Sequence, residues 1–427
     1  MNATIIFLLL LTLMLTGMPI SISLGLTVLS FLFLFTHVPL ESVALKLFTG
    51  IEKFEIMAIP FFILAGNFLT HGGVAKRMIR FASSMVGHWY GGLGLSGVVA
   101  CALFAAISGS SPATVVAIGS ILLPAMVKAG FPNKFGAGVI TTSGALGILI
   151  PPSIVMVMYS VATNTSVGAL FMAGVVPGLG LAMVLGAVTY YRARKYDYPR
   201  LPKASFAERF KAFRESAWGL LLIVIVMGGI YSGMFTPTEA AAMSAVYAFF
   251  VAVYVYKDLG IKDVPRVLLN SANMSAMLLY IITNAVLFSF IMTNENIPQA
   301  LADWMLSHGL GMITFLLACN IILLLAGNFM EPSSIVLIFA PILFPVAVKL
   351  GIDPVHFGIM MVVNMEVGMC HPPVGLNLYV ASGITKMGIT ELTVAVWPWL
   401  LAMLGYLGVV TYWPDLSLWF PRYLGMM

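Results

Sequence analysis

Long apolar runs dominate the chain, and the residues that interrupt them predict its architecture. Residues 4–36 form an apolar stretch too long for one simple span, with Gly17-Met-Pro-Ile20 as its break. Residues 41–53 alternate apolar and polar positions at helical spacing and carry Glu41, Lys46, Glu52 and Lys53, which suits a helix lying at a membrane interface. A span over 56–84 is broken around Thr70-His-Gly-Gly73 and followed by a basic turn with Lys76, Arg77 and Arg80. The next apolar run breaks at Ile107-Ser-Gly-Ser-Ser-Pro112 and resumes as far as Lys128; a third segment breaks at Ile150-Pro-Pro-Ser153. A span over 167–191 closes the first half.

The second half begins with spans at 217–233 and 240–256, the latter started by Thr236-Pro-Thr-Glu239, with proline in its first turn. An amphipathic segment at 261–270 leads into a span at 272–293. Two apolar arms, 312–330 and 335–350, flank Met330-Glu-Pro-Ser-Ser334, and the segment 355–369 breaks at Cys370-His-Pro-Pro373. A last span covers 391–413, and Trp413, Trp419 and Tyr423 in the tail read as interface anchors.

The halves are a repeat. Ile121-Leu-Leu-Pro-Ala-Met-Val-Lys-Ala-Gly130 matches Ile342-Leu-Phe-Pro-Val-Ala-Val-Lys-Leu-Gly351 at six of ten positions, 221 residues apart. The same offset carries Gly147 onto Gly368 and Pro151-Pro152 onto Pro372-Pro373, and nearly the same offset carries Pro112 onto Pro332 and Phe135-Gly136 onto Phe357-Gly358. Interrupted apolar helices at corresponding positions of duplicated halves point to the binding site of a secondary transporter. Irregular backbone at membrane depth survives only where it is buried in protein or lines a wet cavity.

Composition places the chain in the bilayer. Of its 427 residues 60% are hydrophobic and 9% charged, where a soluble domain carries about 25% charged residues. The net charge of +5 does not point to nucleic acid. Eight basic residues (Arg192, Arg194, Lys195, Arg200, Lys203, Arg209, Lys211 and Arg214) crowd one loop, which the positive-inside rule assigns to the cytoplasm. The N-terminus lacks a basic region and a cleavage site, and reads as a first span rather than a signal peptide. Cys101, Cys319 and Cys370 lie in apolar surroundings and form no disulfide or metal pattern.

A broken helix exposes free N–H groups where a half-helix starts, which attract anions, and free carbonyls where one ends, which can ligate a cation. Ser108, Ser110 and Ser111 add hydroxyls at the first break. No Asp or Glu occurs between Glu55 and Asp197, so a cation held by this half must be satisfied by neutral oxygens. That favours Na+ over Mg2+ or Ca2+, and argues against a proton relay there. In the second half Glu331, Glu366 and His371 sit in or beside apolar segments, where ionisable groups are functional candidates. Two readings of Glu331 stand side by side, a cap for the helix starting at Pro332 and a direct ligand. Glu366 either serves a site or pairs with another segment. His371 has no second His or Cys at metal-ligand spacing.

Enzymatic readings fare poorly. The chain has no Gly-x-x-x-x-Gly-Lys-[Ser/Thr] phosphate loop, and Ser110 has no His in a suggestive pattern nearby to act as its base. A channel is a weaker alternative, since paired breaks in a two-fold repeat suit alternating access better than a continuous pore.

Four segments carry a family resemblance: Ile107-Ser-Gly-Ser-Ser-Pro-Ala-Thr114, Gly147-Ile-Leu-Ile-Pro-Pro-Ser153, Asn328-Phe-Met-Glu-Pro-Ser-Ser334 and Gly368-Met-Cys-His-Pro-Pro-Val-Gly375. Through them the chain resembles, over essentially its whole length, the DctM-type large membrane subunit of the tripartite ATP-independent periplasmic (TRAP) transporters. The resemblance implies an all-α polytopic protein of the bacterial inner membrane with two inverted structural repeats and two re-entrant helical hairpins, an elevator-type member of the ion transporter superfamily. The repeats would be residues 1–191 and 216–427, joined by a basic linker at 192–215. The first holds a hairpin at 89–128 and a broken helix at 134–162, and the second a hairpin at 311–350 and a broken helix at 355–382.

The resemblance further implies Na+ as the coupling ion and no other cofactor. It implies as partners a small four-helix membrane subunit (DctQ type), expected here as a separate polypeptide, and a periplasmic substrate-binding protein (DctP type). Carried onto matching positions, one Na+ site would use Ser108, Ser110, Gly147, Ile150 and Pro152. A second would use Asn328, Glu331, Gly368, His371 and Pro373. An organic-acid anion would lie near Ser111, Thr114, Ser333, Ser334 and Asn377. C4-dicarboxylates such as succinate, fumarate and malate are the first expectation. Sialic or other sugar acids, or a self-sufficient symporter, are the alternatives.

Overall fold

The computed structural model describes residues 2–36 and 38–427. Among them the chain forms twenty α-helices and no strand, and eight helices are long and apolar enough to cross a membrane. The first stretch is α1 (Asn2–Leu15) and α2 (Ile20–Phe35), parted at Gly17 and Pro19. The amphipathic stretch is α3 (Leu40–Ile51), followed by α4 (Ala58–His71) and α5 (Val74–Val86). Next come α6 (Gly92–Ser108) and α7 (Ser111–Lys128), then α8 (Asn133–Gly144), α9 (Ile154–Thr163) and the 29-residue α10 (Val167–Lys195).

Of the expected linker 192–215, only residues 196–205 are non-helical. α11 (Phe206–Tyr231) starts there because Ser205 and Glu208 form a capping box, each side chain bonding the other's backbone N–H. α12 (Pro237–Phe250) starts with the same device at Thr236 and Glu239, and runs on through a π turn at Val251–Val255. The amphipathic segment and the span that follows it are one 31-residue helix, α13 (Val264–Asn294). α14 (Ile297–Ser307), α15 (Met312–Gly327), α16 (Pro332–Lys349), α17 (Pro354–Met369), α18 (Leu376–Thr385) and α19 (Ile389–Tyr412) follow. The tail adds α20 (Asp415–Tyr423), which packs on α10 with Leu418 and Pro421 buried, while Trp419 and Tyr423 stack on its exposed side.

Helix pairing crosses between the halves. α7 packs on α18 and α16 on α9; α8 packs on α19 and α17 on α10; α2 packs on α13 and α12 on α4. Within each pair of contacts, one follows from the other when every helix is replaced by its counterpart about 221 residues away. Lipid is as apolar as a leucine side chain, so helices associate here through close packing and hydrogen bonds rather than through hydrophobic exclusion from water. Trp399 on α19 shows both. Fully buried, it lies over Gly138 of α8, where any Cβ would meet its ring at 2.6 Å, and its Nε1 donates to Thr189 Oγ1 of α10 at 2.9 Å. Large apolar side chains such as Leu15, Phe33, Val224 and Val246 stay exposed, as a lipid-facing surface requires.

Candidate functional site: two interrupted helix pairs

The first break is held together by its own hydroxyls. α6 ends at Ser108; Gly109 turns the chain at a φ of 57°, a region that disfavours residues bearing a Cβ. Ser110 is extended and leads into α7 without a side-chain cap, so the starting N–H groups are left free. Thr114 Oγ1 donates to Ser110 O at 2.9 Å and lies 2.9 Å from Ser108 Oγ, and the Ser110 N–H donates to Ser108 Oγ at 3.4 Å.

The second broken segment of this half closes on that tip. After α8 the chain makes a 3-10 turn, Ala145–Ile148, before the cis Pro151-Pro152 bond and the Ser153 cap of α9. Ser111 Oγ donates to Ala145 O at 2.8 Å. A Cβ on Gly147 would lie 2.6 Å from the Ser110 carbonyl, and one on Gly109 3.0 Å from Pro152 O. Ser108, Ser110, Gly147 and Pro152 are thus one neighbourhood. Ile150 belongs to the same loop, but its side chain turns onto Gly178 of α10.

The second pair is built differently. Asn328 ends α15, and its amide, oriented with nitrogen toward the carbonyls, donates to His371 O at 3.2 Å and Pro372 O at 3.1 Å, with His371 Nδ1 at 2.9 Å. Asn328 O accepts from the Gly375 N–H at 3.2 Å, and Gly375 itself has a φ of 54°. Behind this knot Gly327 and Gly368 cross so closely that a Cβ on Gly368 would sit 3.0 Å from the Gly327 Cα. Pro372-Pro373 is cis like its counterpart, yet Pro373 is exposed where Pro152 is buried. Glu331 holds the N-cap position of α16 but bonds no backbone N–H there; Ser334 Oγ donates to its carboxylate at 3.3 Å.

The residues expected around an anion divide between these two groups. Ser111 and Thr114 are engaged within the first tip, while Ser333 and Ser334 are buried in the first turn of α16. Among the described residues no hydrogen bond joins the two groups. Asn377 is wholly buried on α18, which packs along α7; its Nδ2 reaches Cys370 Sγ at 3.9 Å and its Oδ1 has no partner.

The reading of the sequence named Glu366 as a candidate without its place, and it missed a second feature altogether. Glu366 is wholly buried and neither carboxylate oxygen has a bonded partner, although the Leu149 backbone is turned toward them. The loop of the first half, which lies in the stretch without Asp or Glu between Glu55 and Asp197, therefore has a carboxyl group beside it from the other half. The second feature is an amide chain. Asn364 Nδ2 donates to Asn320 O at 3.0 Å and Oδ1 at 2.8 Å, and Asn320 Nδ2 donates to Thr411 Oγ1 at 3.0 Å. His356 continues it, its ring lying 2.8 Å from Ser417 Oγ and 3.2 Å from Thr411 O. An Asn inside an apolar run was the available signal, since buried amides at membrane depth need partners.

The model of the family described as "Tripartite ATP-independent periplasmic transporter, DctM component" matches residues 7–416. The chain belongs to this family. It is similar to the C4-dicarboxylate TRAP transporter large permease protein DctM of Rhodobacter capsulatus, 76% identical over the whole of both chains. It is 38% identical to the sialic acid TRAP transporter large permease protein SiaM of Vibrio cholerae, covering 96% of each chain. The isethionate TRAP transporter permease protein DctMQ of Oleidesulfovibrio alaskensis is 42% identical over 95% of this chain and 64% of its own length. In fold the chain is similar to the crystal structure of the Alcanivorax borkumensis YdaH transporter, with a TM-score of 0.62 and 15% identity over 88% of both chains. DctM members are transporter permeases rather than enzymes, and this one is a multi-pass inner-membrane protein.

Proposed function

We propose that the chain is the large permease of a Na+-coupled TRAP transporter that imports C4-dicarboxylates such as succinate, fumarate and malate. The observation that carries this reading is the 76% identity, over both full lengths, to a permease named for C4-dicarboxylates. In this reading residues 1–191 and 216–427 are inverted repeats, α6–α7 and α15–α16 are re-entrant hairpins, and the reciprocal packing of α7 on α18 and α16 on α9 builds an elevator body. Na+ sits at the first break on Ser108, Ser110 and the carbonyls of the Gly147–Pro152 loop. A second ion sits at the Asn328, Glu331, Gly368, His371 and Pro373 group, and the dicarboxylate binds between the tips, near Ser111, Thr114, Ser333, Ser334 and Asn377. A small four-helix membrane subunit and a periplasmic binding protein complete the transporter.

Reconstitution tests this. Liposomes holding both membrane subunits accumulate labelled succinate only with an inward Na+ gradient and the loaded periplasmic protein outside. Uptake by this chain alone, or uptake indifferent to Na+, overturns the reading. Accumulation of sialic acid but not succinate favours the second reading, for which the 38% identical relative speaks.

A further inference from the structure

A cavity of about 1000 Å3 opens between α6 and α10, away from both helix breaks. Its wall is apolar, formed by Leu95, Val98, Val99 and Leu103 of α6 and by Leu179 and Met183 of α10. Polar and aromatic groups gather only at one end, where His88, Trp89, Tyr90, Tyr190 and Arg200 stand together. That end adjoins the stretch of basic residues after α10, so it lies at the cytoplasmic interface. We propose that this cleft binds an anionic phospholipid of the cytoplasmic leaflet, its phosphate on Arg200 and its acyl chain along α6 and α10.

The mouth has the chemistry of a headgroup site. The Arg200 guanidinium lies over Tyr90, its Cζ 3.6 Å from the ring centroid, and no carboxylate pairs with it among the described residues. His88 Nδ1 has no hydrogen-bond partner. Trp89 and Tyr90 both set their ring edges against Tyr190, at 6.5 and 6.1 Å, which builds the aromatic collar found at headgroup depth. Basic pockets between membrane helices on the cytoplasmic side recognise anionic lipid heads. A helix of a partner subunit would meet an apolar wall equally well, but it gives no reason for an unpaired cation at one end only.

The cleft also leads somewhere. Leu179 lines a second apolar cavity, of about 410 Å3, whose other walls include Ala106 near the end of α6 and Ile150 and Pro151. A lipid chain running down α10 therefore reaches the loop of the first break, and the lipid braces the hairpin arm that carries Ser108.

The test uses the purified full chain, stripped of lipid in neutral detergent, with native mass spectrometry and thermal unfolding as readouts. Phosphatidylglycerol is expected to stay bound and to raise the unfolding temperature more than phosphatidylcholine does. Arg200→Gln weakens phosphatidylglycerol binding about fivefold, the effect of one basic residue at a headgroup, whereas Arg214→Gln leaves it unchanged. Ala102→Trp, which fills the cleft from α6, removes the bound lipid. Equal retention of the two lipids, no response to Arg200→Gln, or full retention by Ala102→Trp each overturns the proposal. In a parallel purification with the small membrane subunit co-expressed, loss of that subunit from Ala102→Trp with phosphatidylglycerol binding intact also overturns it, since the cleft would then be a subunit contact.

Discussion

Gly147 touches Ser110 backbone to backbone: a methyl group on Gly147 would lie 2.6 Å from the Ser110 carbonyl carbon and oxygen. The contact seats the 3-10 turn of one broken segment on the tip of the other, with no side chain between them. Gly147→Ala must push the two apart. The expected cost is about 1–3 kcal/mol of stability, as for other overpacked sites, together with loss of the proposed Na+-driven uptake in protein that still reaches the membrane. Wild-type uptake by this variant would show that the contact is not needed for transport.

Asn328 ties the second pair together, and its removal leaves carbonyls without a donor. Asn328→Ala loses the donations to His371 O and Pro372 O. His371 and Pro372 are half-buried, so the cost is expected at the low end of the range for a stranded buried group, about 1 kcal/mol. Asn328→Asp keeps the size and replaces the donor by an acceptor, so it is expected to be at least as damaging. Thermal unfolding of the two variants in detergent ranks them, and an aspartate variant as stable as wild type would contradict the assigned orientation of the amide.

Glu366 is tested by a neutral isostere. Glu366→Gln preserves volume and exchanges a wholly buried carboxyl group beside Leu149, whose oxygens have no bonded partner, for an amide. If that carboxyl group helps to hold an ion at the proposed site, its loss costs about 1 kcal/mol, as for one hydrogen-bonding partner. The Na+ concentration for half-maximal uptake is then expected to rise about fivefold. An unchanged Na+ dependence would separate Glu366 from ion binding.

Lys53 fastens α9 to the turn before α4. Its Nζ donates to Val161 O at 2.6 Å and Asn164 Oδ1 at 2.7 Å. Burial lowers its pKa from the usual lysine value of 10.5, with Glu55 opposing the shift. A lowered folded-state pKa gives a stability contribution that is fully present above 10.5 and is lost as pH falls through the folded value. The unfolding temperature of wild type relative to Lys53→Met is thus expected to rise as pH is taken from 8 toward 10.5. A flat difference across that range would show that Lys53 is no more buried than in the unfolded chain.

How much of this was legible in the chain follows from how local each signal is. Proline, glycine and serine act within a few residues, so the breaks at Ile107–Pro112, Ile150–Ser153, Met330–Ser334 and Cys370–Pro373 could be read directly, and the Thr236 cap likewise. α20 was missed because a nine-residue amphipathic helix with Pro421 in it carries little periodicity. α11 reaches back to Phe206 because the Ser205–Glu208 box outweighs a run of charge. Glu366 next to Leu149, and Asn364 on Asn320, depend on helices meeting in space, and no spacing along the chain reports that. The division of Ser111 and Thr114 from Ser333 and Ser334 is of the same kind.

One difference between the halves has mechanical weight. At ~1.5 Å per residue, the 31-residue α13 is about 46 Å long, well beyond the ~30 Å of a bilayer's hydrocarbon. It must lean or protrude, and it does so as one stiff beam touching α2, α3, α4 and α16. Its counterpart in the first half is jointed, with α3 and α4 separated by the turn that Lys53 fastens. The single helix α13 and the α3–α4 pair therefore differ as a girder differs from an elbow.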